Sequence, residues 1–214
     1  MTCTQCSGIE KIFDDKIARR ELKRYRRRGP ARQTSKLLRL IREAGAGFKS
    51  LLDVGGGVGG IQHELAEQGV KTIFAVDASA AYLAAARSEA EAQGYADRVT
   101  YSAGDFVEVA RQIPDVDLVT LDRVVCCYHD PDSLLGAAAA KSQKALALVF
   151  PRETFWAKLG FFSINTTMKL RRSDFRAFIH PHTQLERILA DAGLHLATAT
   201  NGFVWRTAVY VKEN

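Results

Sequence analysis

Five glycines in six residues follow directly on a short apolar run: Ser50-Leu51-Leu52-Asp53-Val54, then Gly55-Gly56-Gly57-Val58-Gly59-Gly60. The run is too short for a helix and reads as a buried strand. The glycines let the chain turn sharply and let its backbone come close to a ligand. A helix pattern then continues to about Gln68, where Gly69 stops it. A helix start leaves unpaired N–H groups, so this unit offers a ligand site at the end of its strand.

The same unit recurs downstream. Residues 71–76 read as a strand ending in Asp77, and the alanine-rich residues 80–93 as a helix stopped by Gly94. Residues 98–102 form a strand ending in Gly104-Asp105, followed by a short helix over about 106–112. Residues 116–121 form the next strand, ending in Asp122. Asp130-Pro131 opens a helix with an Asp cap and Pro in the first turn, and residues 145–150 make a fifth strand. This alternation predicts an α/β fold with a parallel sheet covered on both faces.

The ends of the chain read differently. Residues 9–27 have helical apolar spacing and stop at Gly29-Pro30; Thr34 is placed to cap a second helix that ends near Gly45 and Gly47. Residues 152–178 are rich in Phe and Trp and break the rhythm. Thr183-Gln184-Leu185-Glu186 reads as a capping box. Asn201-Gly202 between two β-prone runs predicts a two-residue hairpin, so the sheet finishes antiparallel. The domain reading is a helical cap over residues 1–47 and an α/β domain over 48–214, with 151–180 inserted on its substrate side.

Composition narrows the classes. The 214 residues are 47% hydrophobic and 25% charged, as expected of one ordinary soluble domain. No apolar run is long enough to span a bilayer and no signal peptide is visible, so four cysteines point to a reducing, cytoplasmic setting. The net charge of +6 is uneven: residues 16–42 hold twelve Lys or Arg and one acid, Glu21, or +11, which leaves −5 elsewhere. Such an arm suits acidic phospholipid at the membrane periphery, nucleic acid, an anionic small substrate, or simply a solvated helix face.

The glycine loop fits two cofactor classes. Gly55-x-Gly57-x-x-Gly60, with Asp77 beyond, satisfies the dinucleotide fingerprint. The same residues read Asp53-x-Gly55-x-Gly57-x-Gly59. A carboxylate at Asp53 suits an amine and repels a pyrophosphate. Asp77 can accept ribose hydroxyls, and Asp105-Phe106 can hold and stack an adenine. With Asp122, four acids end four strands and make the crevice negative.

On these residues, together with Val76-Asp77-Ala78-Ser79 and Asp117-Leu118-Val119-Thr120-Leu121-Asp122, the chain resembles the class I S-adenosylmethionine-dependent methyltransferases over about residues 49–212. The resemblance implies a Rossmann-like seven-stranded sheet with its last strand antiparallel. It implies S-adenosyl-L-methionine as donor and S-adenosyl-L-homocysteine as product. By the same resemblance, Asp53, Gly55, Gly56 and Gly57 line the methionine and sugar. Asp77, with Ala78 and Ser79, takes the ribose, and Asp105 and Phe106 take the adenine. Leu121, Asp122 and Arg123 lie near the sulfonium and the acceptor. The stretches Phe13-Asp14-Asp15-Lys16 through Tyr25-Arg26, and Leu121 through Tyr128, are similar to magnesium-protoporphyrin IX methyltransferases. There an N-terminal helix closes over the cofactor, which makes Tyr25 a lid contact. The basic arm and Cys3-x-x-Cys6 depart from that pattern.

Methyl transfer needs alignment and exclusion of water, and a general base only when the acceptor carries a proton at neutral pH. His129, just past the fourth strand, is the candidate base, and Tyr128 the candidate for orienting the acceptor. Arg123 and Arg152 can clamp an acidic substrate. His180 and His182 flank Pro181 and serve helix entry. Cys3-x-x-Cys6 is half of a zinc site with no matching second pair, and Cys126-Cys127 are adjacent, so no metal is expected. Three other functions remain in view. One is a nucleic-acid methyltransferase using the arm, although only Tyr25 supplies an interleaved aromatic. The others are a nicotinamide oxidoreductase and a non-catalytic cofactor-binding protein.

Overall fold

The computed structural model describes residues 8–10, 12–45 and 47–212, so Cys3 and Cys6 lie outside the described residues. Seven strands form one sheet: β1 Ser50–Val54, β2 Thr72–Asp77, β3 Val99–Ala103, β4 Val116–Asp122, β5 Ser142–Pro151, β6 Leu194–Asn201 and β7 Trp205–Lys212. Their order is β3-β2-β1-β4-β5-β7-β6. The first five run parallel, and β7 is antiparallel to both neighbours. This is the expected Rossmann-like sheet. Its strand order reverses between β1 and β4, where α/β sheets open a crevice at the strands' carboxyl ends.

Both faces are buried, so the central strands are mainly apolar, with Asp53 and Thr120 among the buried polar exceptions. Leu52, Val54, Val119, Leu121, Leu146 and Leu148 pack toward helices Pro131–Lys141 and His182–Asp191. Their neighbours Leu51, Ile73, Leu118, Ala147 and Val149 pack toward Arg32–Ala44 and Gly60–Glu67. In chain order the helices used below are α1 Asp15–Arg28, α2 Arg32–Ala44, α3 Gly60–Glu67, α4 Ala80–Ala92, α5 Phe106–Val109, α6 Pro131–Lys141, α7 Phe155–Leu170 and α8 His182–Asp191.

Four local expectations are corrected. The helix predicted from residue 9 is interrupted at Asp14, whose carboxylate accepts from the Ile17 N–H at 2.9 Å and caps α1. Thr34 caps nothing: α2 starts at Arg32 with Ala31 before it, and Thr34 sits buried in the first turn. The capping box does not form, because α8 starts at His182, whose N–H goes to Glu153, while Glu186 pairs with Arg206 at 3.2 Å. The hairpin is also longer than two residues. Asn201 pairs with Arg206, Gly202 donates to the Trp205 carbonyl at 2.7 Å, and Gly202 stays out of the left-handed region. Helix α2, with Leu37 and Ile41 fully buried against the sheet, is part of the sheet's own cover.

Candidate active site

The glycine loop is shaped by what lies behind it. A Cβ on Gly56 would fall 2.3 Å from Asp53 Oδ2, and one on Gly55, already at φ +61°, would fall 2.5 Å from Val124 Cγ2. Only glycine fits either place. Asp53 is fully buried, accepts from the Thr120 hydroxyl at 2.7 Å through Oδ1, and leaves Oδ2 without a partner. Burial pushes its carboxyl up to about 7, with Asp122 and Asp77 adding to the rise and the Thr120 bond opposing it.

A second support comes from helix α3. His63 is buried, and its Nε2 meets the Val58 carbonyl at 2.8 Å. A carbonyl only accepts, so Nε2 carries the hydrogen and Nδ1 accepts from the Tyr95 hydroxyl. Burial lowers the histidine's pKa and keeps it neutral. His63 thus holds the far side of the loop. An amphipathic count on α3 marks it only as a core position.

In front of the loop is a cavity of about 260 Å³. Gly55, Gly56, Gly57, Asp77, Ala78, Asp105, Phe106, Asp122, Arg123, Tyr25 and Tyr128 all line it. Asp77 ends β2 and accepts from the N–H groups of Gly57 at 3.0 Å and Ser79 at 2.8 Å. Burial nevertheless pushes its carboxyl up to about 6, against the lowering by those bonds. Asp105 caps α5 by accepting from Val107 N–H at 2.9 Å, and the Tyr128 hydroxyl donates to both its oxygens, at 2.9 and 3.1 Å. Asp122 accepts from the Thr34 hydroxyl at 2.5 Å and from Arg123 at 2.9 and 3.3 Å. Arg123 is held in the left-handed region at φ +63°, unusual for a side-chain-bearing residue.

Helix α1 roofs the cavity. Tyr25 is buried, lies tilted against His63 at 5.1 Å between ring centroids, and donates to Glu64 at 3.2 Å. Burial, with Glu64 beside it, raises its hydroxyl well above the ordinary tyrosine range. Glu21 accepts from Tyr82 at 3.0 Å, and both line the cavity together with Phe13 and Arg24.

Several expected site residues lie elsewhere. Asp53 and Leu121 are fully buried and neither is among the residues that line the cavity. Ser79 is fully buried too; its hydroxyl caps α4 by accepting from Tyr82 N–H and donates to the Phe13 carbonyl at 2.7 Å. His129 is exposed, stacked on Tyr128, and outside the cavity, because β4 leads into a tight turn that points Tyr128 inward and His129 outward. Tyr128 is in place but spends its hydroxyl on Asp105. Arg152 donates to the Gly202 carbonyl at 2.8 Å and braces the β6–β7 loop. None of residues 151–180 lines the cavity. His180 Nε2 donates to the carbonyls of Val125 and Tyr128, and His182 Nε2 to that of Pro151.

Missing from the sequence reading were Phe13, Glu21, Arg24, Thr34, Tyr82, Val124 and Cys127, all of which line the cavity. The resemblance pointed to the N-terminal helix through Tyr25, and the helix-spaced apolar positions that seat α1 on α4 are the further signal in this segment.

Residues 51–147 match the family model of a methyltransferase domain. The chain carries a methyltransferase domain. Such a domain uses S-adenosylmethionine, and the cavity suits it with a glycine cradle and the lining carboxylates Glu21, Asp77, Asp105 and Asp122. No curated protein matches the methyltransferase in sequence. Solved structures share its fold. Magnesium protoporphyrin IX methyltransferase from Synechocystis PCC 6803 with bound SAH aligns at TM-score 0.72 and 20% identity, over 98% of this chain and 100% of that one. Geranyl diphosphate C-methyltransferase from Streptomyces coelicolor A3(2) aligns at TM-score 0.66 and 14% identity, over 84% and 77%. An O-methyltransferase family protein from Burkholderia thailandensis aligns at 0.62 and 16%, over 85% and 58%.

Proposed function

We propose that the methyltransferase alkylates a carboxylate oxygen of a small, anionic, aromatic acceptor in the cytoplasm, with a porphyrin propionate as the first acceptor to try. The observation that carries this reading is the pair Arg24 and Arg123 in the cavity wall, with His129 outside it. A carboxylate is already ionised at neutral pH, since its pKa is near 4, and needs no base. The cations need only orient it. The Synechocystis neighbour, named for a porphyrin substrate and matching along its whole length, supports the same acceptor class.

S-adenosylmethionine supplies a methyl group activated by positive sulfur. In this proposal Asp77 accepts the ribose hydroxyls with the lone pairs its two backbone bonds leave over. Asp105 and Phe106 hold the adenine. Gly55 to Gly57 and Asp122 border the methionine moiety, and Asp53 acts from behind by setting the loop. Helix α1 serves as the cap, with Tyr25 fixing it over the cavity through Glu64. Thr34 fixes Asp122 from α2, and Arg123 faces the acceptor.

Transfer of labelled methyl to magnesium protoporphyrin IX, with metal-free protoporphyrin and geranyl diphosphate alongside, tests the proposal. Esterification of a porphyrin is expected, with KM for the porphyrin raised in Arg24→Ala and donor affinity unchanged. Transfer to the diphosphate alone would refute the carboxylate reading and leave the methyltransferase itself standing.

A further inference from the structure

Helix α7 is built inside out. Its inner face is Ala157, Phe161, Asn165 and Met168, one residue per turn, packed with Phe175, Ala177 and Cys126. Its outer face carries Phe155 at 70% exposure, Trp156 at 58%, Leu159 at 46%, Phe162 at 69% and Leu170 at 81%. At 100° per residue these five fall within about one third of the helix circumference, opposite the inner face. Solvent-facing aromatics on a monomer are normally scattered singly; a contiguous stripe marks an interaction surface.

Charge says what covers it. Residues 155–173 contain Lys158, Lys169, Arg171 and Arg172 and no acid. An isologous contact with a second copy would set these four cations against four like charges. Nor does the stripe close the cavity, since none of its residues lines it. An apolar stripe with Trp and Phe, bordered by cations and lacking acids, is the pattern of a helix lying in the interface of an anionic bilayer. The basic helix α1 differs, because Ala18, Leu22 and Tyr25 are buried and Ile17 partly so, leaving a mainly charged outer face. No helix among the described residues is long and apolar enough to cross a membrane, so the contact would be peripheral.

We infer that α7 seats the protein on anionic phospholipid, with Phe155, Trp156, Leu159 and Phe162 entering the headgroup–acyl boundary and its Lys and Arg residues meeting lipid phosphates. The inner face of α7 shares its cluster with Ile9 and Cys127, and both of these line the cavity. The lipid surface would therefore lie about one helix diameter, roughly 10 Å, from the cavity wall, on the far side of α7. The docking inference does not depend on the proposed acceptor.

Co-sedimentation of the whole protein with phosphatidylcholine vesicles, with and without phosphatidylglycerol, provides the test. Binding is expected only to the anionic vesicles, and Phe155→Ser with Phe162→Ser should weaken it by at least about tenfold. Replacing Lys158, Lys169, Arg171 and Arg172 by Gln should remove the preference for anionic lipid. Trp156 emission should shift blue and be quenched by brominated lipid, and the shift should vanish in Trp156→Phe. The serine pair removes exposed side chains, so an unchanged melting temperature shows that each variant is folded. Failure to bind anionic vesicles overturns the inference. So does binding that survives the serine pair but is lost when Arg20, Lys23, Arg27 and Arg28 of α1 become Gln. A dimer that dissociates in the serine pair, without vesicle binding, would assign the stripe to a second copy.

Discussion

The donor end of the cavity and the segment from Arg152 to Pro181 sit side by side yet are held in opposite ways. At the donor end every carboxylate is fixed by the chain around it: Asp77 by Gly57 and Ser79, Asp105 by Val107 and Tyr128, Asp122 by Thr34 and Arg123. Along α7 only Ala157 and Phe161 are buried, and most of the large apolar groups face outward. The first region pre-organises polar groups for a small ligand of fixed shape. The second leaves apolar surface for something soft and extended. In the proposed reading, one domain separates donor recognition, which demands exact placement, from a surface that tolerates change.

The largest effect that would break this contrast is expected at Gly56. Gly56→Ala forces a methyl against Asp53 Oδ2 and should cost about 3 kcal/mol or more of folding stability, read by thermal or urea unfolding. A stable Gly56→Ala protein with full donor affinity would mean that the loop is not over-determined. Next comes Asp77→Ala, which should weaken donor binding at least about tenfold by calorimetry, roughly 1.4 kcal/mol. Unchanged affinity would remove the ribose assignment.

A smaller effect should appear in the pH dependence of stability. In the folded protein Asp53 and Asp77 keep their protons up to about pH 7 and about pH 6, whereas in the unfolded chain a carboxyl loses its proton near pH 4. Between these limits the folded state binds more protons, so the contribution of this pair is fully present below about pH 4 and is lost as pH rises to about 7. Asp53→Asn should flatten that part of the curve; an unaltered curve would show that Asp53 titrates normally. The smallest effect is expected at His129. With its ring outside the cavity, His129→Ala should leave kcat within about twofold, under about 0.5 kcal/mol, and a thousandfold loss would restore it as a base.

Legibility in the sequence follows the same divide. The strand–turn–helix units were readable because each is local: an apolar run, a glycine or Asp stop, a cap such as Asp130 with Pro131. Asp77 and Asp122 could be placed because each ends a strand at the sheet's carboxyl edge, and Asp105 because it follows β3 by two residues. Asp53 and Ser79 occupy equally plausible positions in the sequence, yet each turns its side chain behind the wall, and only the packing of Gly56 and Phe13 against them decides it. Thr34 carries a sequence signal for a cap, but Asp122, 88 residues away, takes its hydroxyl instead. Glu186 is lost to its capping box in the same manner, by Arg206 on β7. Long-range partners of this kind leave no periodicity to read.

Titrating the purified protein with S-adenosylmethionine, S-adenosylhomocysteine and, in parallel, NADH tests the central claim most directly. The negative, glycine-floored cavity predicts one-to-one binding of both sulfur compounds, lost in Asp77→Ala, and no binding of the dinucleotide. Binding of NADH with no response to S-adenosylmethionine would contradict the account at its base.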